Sequence, residues 1–209
     1  MIDRTQIAAA RSALLGGGLA IVPTDTVYGV AAALSAPAGI DAMYTRKDRP
    51  RSQPCQVLVY TRSLIEEAIA PLDPRTAAAV RALLPGQVTC LVPDPLDRYA
   101  AAAGDQRGTV GLRAPLMDGP IVQLDIALVA TSANEPGEPP PATVSQVPDR
   151  LRAAAGMVVL DTGALPGTAS TVVDLLQVGS GGTARIVRPG SDVALVVQRL
   201  AEVGVALSG

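Results

Sequence analysis

The sequence predicts an α/β fold, a single domain over residues 1–209 with a twisted mixed β-sheet flanked by helices. Three observations lead there. Short runs rich in β-branched residues alternate with Ala/Leu-rich stretches. Several of the later strand-like runs follow one another with no helix between them, which argues against a purely parallel doubly wound sheet. Finally, 209 residues with 48% hydrophobic and 17% charged side chains are ample for one core and unlike a disordered chain.

The elements follow in order. Residues 4–15 alternate Gln and Arg with Ile, Ala and Leu, the pattern of an amphipathic helix. "LAIVP" (19–23) reads as the first strand, and after it "TDTVY" (24–28) gathers three hydroxyls and a carboxylate. A helix over 37–47 leads to the strand "QVLVY" (56–60), followed by helices over 63–69 and 75–84 and the strand "VTCLVP" (88–93). Segment 94–108 has loop chemistry and reads as a mobile lid. "TVGLRAP" (109–115) and "ALVATSAN" (127–134) read as strands, and 134–143, "NEPGEPPPAT", as a stiff proline-rich rim. A helix over 144–154, strands over 157–161, 170–176 and 184–190, and a helix over 192–203 capped by Ser191 or Asp192 complete the chain.

Composition narrows the chemistry. Histidine is absent, so a Ser-His-Asp or Cys-His triad, imidazole acid–base catalysis and an imidazole zinc site are excluded. Cys55 and Cys90 lie 35 positions apart with no C-x-x-C pairing, and read as small buried hydrophobes. A net charge of −2 and 2% aromatic residues give neither a global attraction to phosphate backbones nor a platform for stacking bases. No stretch reads as a membrane span or a signal peptide, so the expected location is the cytoplasm.

The polar residues fall at strand ends, where α/β sheets place ligands: Thr24 to Tyr28, Arg113, Thr131 to Asn134, Ser170-Thr171 and Arg188. Ordinary caps and turns would use the same residue types singly; five such groups together point to a site. "YTRKDRPRSQP" (44–54) concentrates Arg46, Lys47, Arg49 and Arg51 at a helix end. A solvated last turn would explain that cluster. Of 17 basic residues, however, Lys47 is the sole lysine, and a compact ammonium suits a phosphate or carboxylate site.

In order and spacing, "VPTDTVYGV", "KDRPRSQP", "PGQVTCLVP", "TVGLRAP", "ATSANEPGEPPPAT", "GTASTVVDL" and "RIVRPG" resemble the YrdC family, the threonylcarbamoyl-AMP synthases, over about residues 15–190. The chain looks like the short bacterial type, without the additional C-terminal domain of longer members. The resemblance implies that L-threonine, bicarbonate and ATP, with Mg²⁺, give threonylcarbamoyl-adenylate and pyrophosphate. A downstream complex would use that product to modify the adenosine next to the anticodon in tRNA, with tRNA itself met only indirectly or weakly. Such chemistry needs positioning and charge neutralisation more than a side-chain nucleophile, so a chain without histidine can perform it.

The same resemblance implies residue roles. Thr26 contacts the substrate threonine, with Thr24 and Tyr28 shaping the pocket, Arg113 forking onto the substrate carboxylate and Ser170 nearby. The K-x-R and S-x-N motifs, Lys47, Arg49, Ser132 and Asn134, are the expected catalytic and phosphate contacts, joined on the nucleotide by Gln53, Thr109, Pro140 and Arg188. No protein metal ligand is identified. Three positions depart from the family pattern: Asp48 for glycine, Gln87 for proline and Pro136 for serine. Two other classes stay open on the residues themselves. One is a serine-lysine amidase using Lys47 with Ser132 or Ser170; the other is an RNA-binding module with a groove along 46–51.

Overall fold

The computed structural model describes residues 2–153 and 156–208. Helix α1 (Arg4–Leu15) starts where the side chain of Asp3 accepts the Gln6 N–H at 2.8 Å and the Gln6 side chain accepts the Asp3 N–H at 2.9 Å. This reciprocal cap satisfies two donors that the first turn leaves free. Ile7, Ala10 and Leu14 then form its buried stripe. Helices α2 (Pro37–Arg46), α3 (Arg62–Ile69), α4 (Pro74–Leu83), α5 (Asp149–Arg152) and α6 (Val193–Glu202) follow the expected segments closely, except α5.

One ten-stranded sheet organises the chain, in the spatial order β10-β9-β8-β4-β5-β3-β6-β2-β1-β7. Its strands are β1 (Leu19–Val22), β2 (Gly29–Ala33), β3 (Gln56–Leu58), β4 (Val88–Pro93), β5 (Thr109–Arg113), β6 (Leu128–Ser132), β7 (Met157–Val159), β8 (Thr171–Asp174), β9 (Ala184–Arg188) and β10 (Leu207–Ser208). Pairs β1–β7, β3–β5, β4–β8 and β9–β10 are parallel and the other five antiparallel, so the sheet is mixed as expected.

Alternation along the strands divides the molecule into two layers. Ile21, Val30, Val57, Cys90, Leu112 and Val129 join Ile40, Met43, Ile65, Leu83 and Leu200 in the main core, beneath α2, α3, α4 and α6. On the opposite side Ala20, Ala31, Ala33, Leu58 and Leu128 meet Ile7, Leu14, Ile121 and Leu124 under α1 and the 3₁₀ turn Gly119–Gln123. That second layer covers only part of its face. Over β3, β4, β5 and β8 the sheet stays open, and there the cavity forms.

The structure corrects several expectations. Strand β2, "GVAAA", is buried along its whole length, and sequence reading gave it no strand because alanine lacks the β-branched signal. Strand β10, only two residues long, is too short to carry a strand pattern of its own. The helix expected over 144–154 splits into a 3₁₀ turn (Val144–Gln146) and α5, because Pro148 has no N–H to continue it; residue 154 lies outside the described residues. At α6, Asp192 occupies the cap position with φ of 53° but its carboxylate accepts no backbone N–H of the first turn, and the Ser191 hydroxyl donates to the Thr168 carbonyl at 3.2 Å. Segment 94–108, expected as a mobile lid, is hydrogen-bonded into the wall: Cys55 N–H donates to Ala102 O at 2.8 Å and Asp105 N–H to Ser52 O at 3.0 Å.

Candidate active site

A cavity of about 490 Å³ opens on the uncovered sheet face. Its floor takes alternate strand residues: Gln56 from β3, Thr89 and Leu91 from β4, Thr109, Gly111 and Arg113 from β5, Ala130 and Ser132 from β6. Gly111 keeps the floor deep, since a Cβ there would touch Thr89 Cγ2 at 3.4 Å and Leu91 Cδ2 at 3.5 Å. Among the described residues no Asp or Glu lines the cavity.

One end is built by the 24–28 turn. Thr24 Oγ1 donates to Val27 O at 2.7 Å, accepts the backbone N–H groups of Thr26 and Val27, and lies 2.8 Å from Thr26 Oγ1. This self-bonded turn presents two hydroxyls from a fixed backbone. Arg113 stands beneath it, 1% exposed. Its Nη1 donates to Gly86 O and, at 3.3 Å, to Val88 O, while Nη2 donates to Asp25 Oδ1 and, at 3.4 Å, to Thr26 Oγ1. The fork expected to grip a substrate carboxylate is therefore largely taken up by the protein, and the long Thr26 contact is the one a ligand could replace. Burial pushes the guanidinium pKa down and Asp25 pulls it back up.

Thr89, the register partner of Arg113, carries the next wall: its Oγ1 lies 3.0 Å from Ser170 Oγ, and Arg188 Nη2 donates to Ser170 O at 2.9 Å. Arg188 lines the cavity and has no carboxylate partner among the described residues, which leaves its charge free for an anion. Pro140 and Thr109 also line the cavity, the Thr109 hydroxyl donating to Gln106 O at 2.7 Å.

The K-x-R and S-x-N motifs meet, though not as parallel walls. Ser132 Oγ donates to Asn134 Oδ1 at 2.6 Å, and Lys47 Nζ donates to the Asn134 carbonyl from behind. Lys47 ends α2 and is 5% exposed, so it is not a solvated last turn. Burial lowers its pKa to about 8, partly offset by Glu135. Arg49 donates to Pro54 O at 2.5 Å, and its Nε is buried without a partner among the described residues. Neither Lys47 nor Arg49 lines the cavity directly.

Two further expected contacts, Tyr28 and Gln53, also lie off the cavity. Tyr28 is fully buried and its hydroxyl sits among Asp161 Oδ1 (2.9 Å), Gly163 O (2.8 Å) and the Thr162 N–H (3.0 Å). It anchors the turn rather than lining the pocket; its backbone ties to Pro141 O and to Ala133 N–H. Gln53 is exposed outside the cavity, and its carbonyl accepts the Tyr44 hydroxyl at 3.0 Å. The sequence pattern singles out Thr131 with its strand end but not Gln56, Thr89 or Gln106, and all four line the cavity. A polar residue within an otherwise apolar strand, such as Thr89, was the signal available.

Residues 12–190 match the Sua5/YciO/YrdC family, described under the heading of telomere recombination. The chain belongs to that family. A Mycobacterium tuberculosis protein described as a candidate threonylcarbamoyl-AMP synthase is 34% identical over 94% of this chain and 88% of its own length. The threonylcarbamoyl-AMP synthase of Chromohalobacter salexigens is 34% identical over 81% of this chain and 92% of its own. Among solved structures, Pyrococcus abyssi Sua5 complexed with L-threonine superposes with a TM-score of 0.83 at 22% identity, covering all of this chain, which spans 60% of that one. Escherichia coli YciO superposes with a TM-score of 0.76 at 20% identity over 94% and 95% of the two chains. At those identities the superpositions establish the fold.

Within this family fold, two departures acquire a structural account. Residue 48 takes the left-handed conformation, φ 46°, which glycine adopts freely and aspartate tolerates better than most residues. The Asp48 side chain is 77% exposed and faces Arg150 at 3.5 Å, so it does not intrude on the cavity. Gln87 brings a side-chain donor that proline lacks, Nε2 donating to Asp25 O at 2.7 Å. Nothing in the structure explains Pro136.

Proposed function

We infer that the chain is an L-threonylcarbamoyladenylate synthase, a nucleotidyltransferase making threonylcarbamoyl-AMP and pyrophosphate from L-threonine, bicarbonate and ATP. The observation that carries this reading is the convergence, on one acid-free cavity, of the hydroxyl turn at 24–26, the Ser132–Asn134 pair and an unpaired Arg188. Its volume lies in the range of small-molecule sites. The relatives named as threonylcarbamoyl-AMP synthases, at about a third identity over most of the chain, supply the same reaction independently.

In the reaction the threonine amine adds to bicarbonate, losing water, to form a carbamate. A carbamate oxygen then attacks the α-phosphorus of ATP, and the bond to the β-phosphate breaks to release pyrophosphate. Thr24 and Thr26 orient the amino acid, and Arg113 supplies positive charge beneath its carboxylate. Ser132 and Asn134, braced by Lys47, and Arg188 face the phosphates as they develop charge. No cluster of three or more potential metal-ligating side chains occurs among the described residues. Mg²⁺ would arrive with the triphosphate and offset its charge, and the neutral oxygens of Ser132 and Asn134 are the groups that would hold it.

The other classes fit less well. Lys47 bonds the Asn134 carbonyl, while Ser132 and Ser170 bond Asn134 and Thr89, so neither serine has a lysine base. Arg51 pairs with Asp41 and stacks on Tyr44, which spends part of the basic cluster within the protein. Handing the product to a downstream tRNA-modifying complex is the role we propose for it. No helix among the described residues is long and apolar enough to cross a membrane. The test is pyrophosphate release from Mg-ATP with labelled threonine and bicarbonate. Dependence on both co-substrates is expected; release that ignores either one overturns the reading.

A further inference from the structure

We infer that Asp25 is the positioning residue of the amino-acid subsite: its carboxylate fixes the Arg113 guanidinium under Thr26, and so sets the affinity for threonine. This rests on the synthase reading and says how one of its subsites is held.

Asp25 lies inside the 24–28 turn, between the two threonines that line the cavity, but does not line it. It faces the opposite way, into a second cavity of about 210 Å³ walled by Leu83, Gly86, Gln87, Leu116 and Arg199. Arg113 lines the first cavity and not the second. The Asp25–Arg113 pair is thus part of the partition between two voids. With space behind the carboxylate, close packing cannot hold the guanidinium in place; its hydrogen bonds must. Gly86 O and Val88 O hold Nη1, and Asp25 holds Nη2 and is itself tied on three sides. Asp25 Oδ1 accepts Arg113 Nη2, Oδ2 accepts the Leu116 N–H at 2.8 Å, and the Asp25 carbonyl accepts Gln87 Nε2 at 2.7 Å.

The chain of contacts then runs into the pocket. Arg113 Nη2 reaches Thr26 Oγ1 at 3.4 Å, and Thr26 Oγ1 lies 2.8 Å from Thr24 Oγ1. A neutral amide at position 25 would leave a buried guanidinium without its counter-charge, and it would turn towards other acceptors. Thr26 Oγ1 would lose its charged neighbour and keep only Thr24, while the Ser132–Asn134 bond and the Arg188 bond to Ser170 O would remain. The predicted signature is therefore a split between the two substrates.

In the parent enzyme, calorimetric binding of L-threonine and co-substrate-dependent pyrophosphate release test the synthase reading by itself. If those succeed, Asp25→Asn should raise KM for threonine at least tenfold while KM for ATP stays within twofold. Asp25→Glu restores the charge and has the second cavity to take its extra methylene; it should recover threonine KM to within threefold of the parent. In an Arg113→Lys background, Asp25→Asn should add less than threefold, because the residue acts through that arginine. Gln87→Met, which removes only the bond to the Asp25 carbonyl, should raise threonine KM about threefold and serves if Asp25→Asn fails to fold. An equal rise in both KM values, an unchanged threonine KM, or full additivity with Arg113→Lys would overturn the inference.

Discussion

Lys47 shows how a single residue can be conspicuous in the sequence and yet be misplaced by it. Its solitude among arginines marked it, but no motif could say that it would brace Asn134 from behind instead of facing the cavity. If that brace needs a compact ammonium, Lys47→Arg should lower kcat/KM roughly 30- to 1000-fold with the fold intact; pyrophosphate release within threefold of the parent would make the lysine a bystander. Its depressed pKa gives a second check. The ammonium loses its proton as pH rises through about 8, so kcat/KM for ATP should fall on that limb, and residual activity of Lys47→Arg should not. For stability the sign is opposite: the folded value lies below the unfolded one, so below about pH 8 the buried charge opposes folding, and the opposition fades as pH rises towards 10.5. Asp48 carries a smaller lesson. Asp48→Gly should relieve the left-handed backbone and raise stability by up to about 1 kcal/mol, read by chemical denaturation, with turnover unchanged. Tyr28 and Gln53 were assigned to the pocket by motif membership, and side-chain direction, which a motif does not encode, took both elsewhere.

Elements were legible where periodicity was strong. The amphipathic helices α1, α4 and α6 and the β-branched strands β4 and β8 stand close to where the pattern put them. Strand β2 was illegible because its small residues serve close packing from both sides, with α2 over one face and α1 over the other; tertiary context overrode propensity. The site corner formed by Ser170 and the end of β9 depends on a similar close approach. A Cβ on Gly190 would lie 2.2 Å from Ala169 O and 2.7 Å from Ser170 C, both backbone atoms that cannot rotate away. Gly190→Ala should therefore cost about 2 kcal/mol or more and should separate Arg188 from Ser170. Thermal unfolding together with KM for ATP checks it; parental values of both would show that the corner yields freely.

For the whole molecule, a net charge of −2 with only a local cluster of arginines sets its behaviour towards RNA. Free tRNA should bind weakly, and with no more than about three phosphate contacts on the 46–51 patch its affinity should drop at most roughly four- to sixfold when salt is doubled. Filter binding at two salt concentrations measures this; tight binding indifferent to salt would favour a direct RNA-binding role. The open sheet face has a different consequence. Thr89, Thr109, Gly111, Arg113 and Ser132 serve the cavity, while Cys90, Leu112 and Val129, interleaved with them on the same strands, fill the core beneath the helices. Chemistry and folding are thus written in alternate letters of one text, and a single inserted residue in β5 would exchange them, turning Arg113 into the core and Leu112 into the pocket. Length can vary only in the connections, so substrate preference in such a domain is free to change by substitution along the strands and by remodelling of loops, never by sliding a strand.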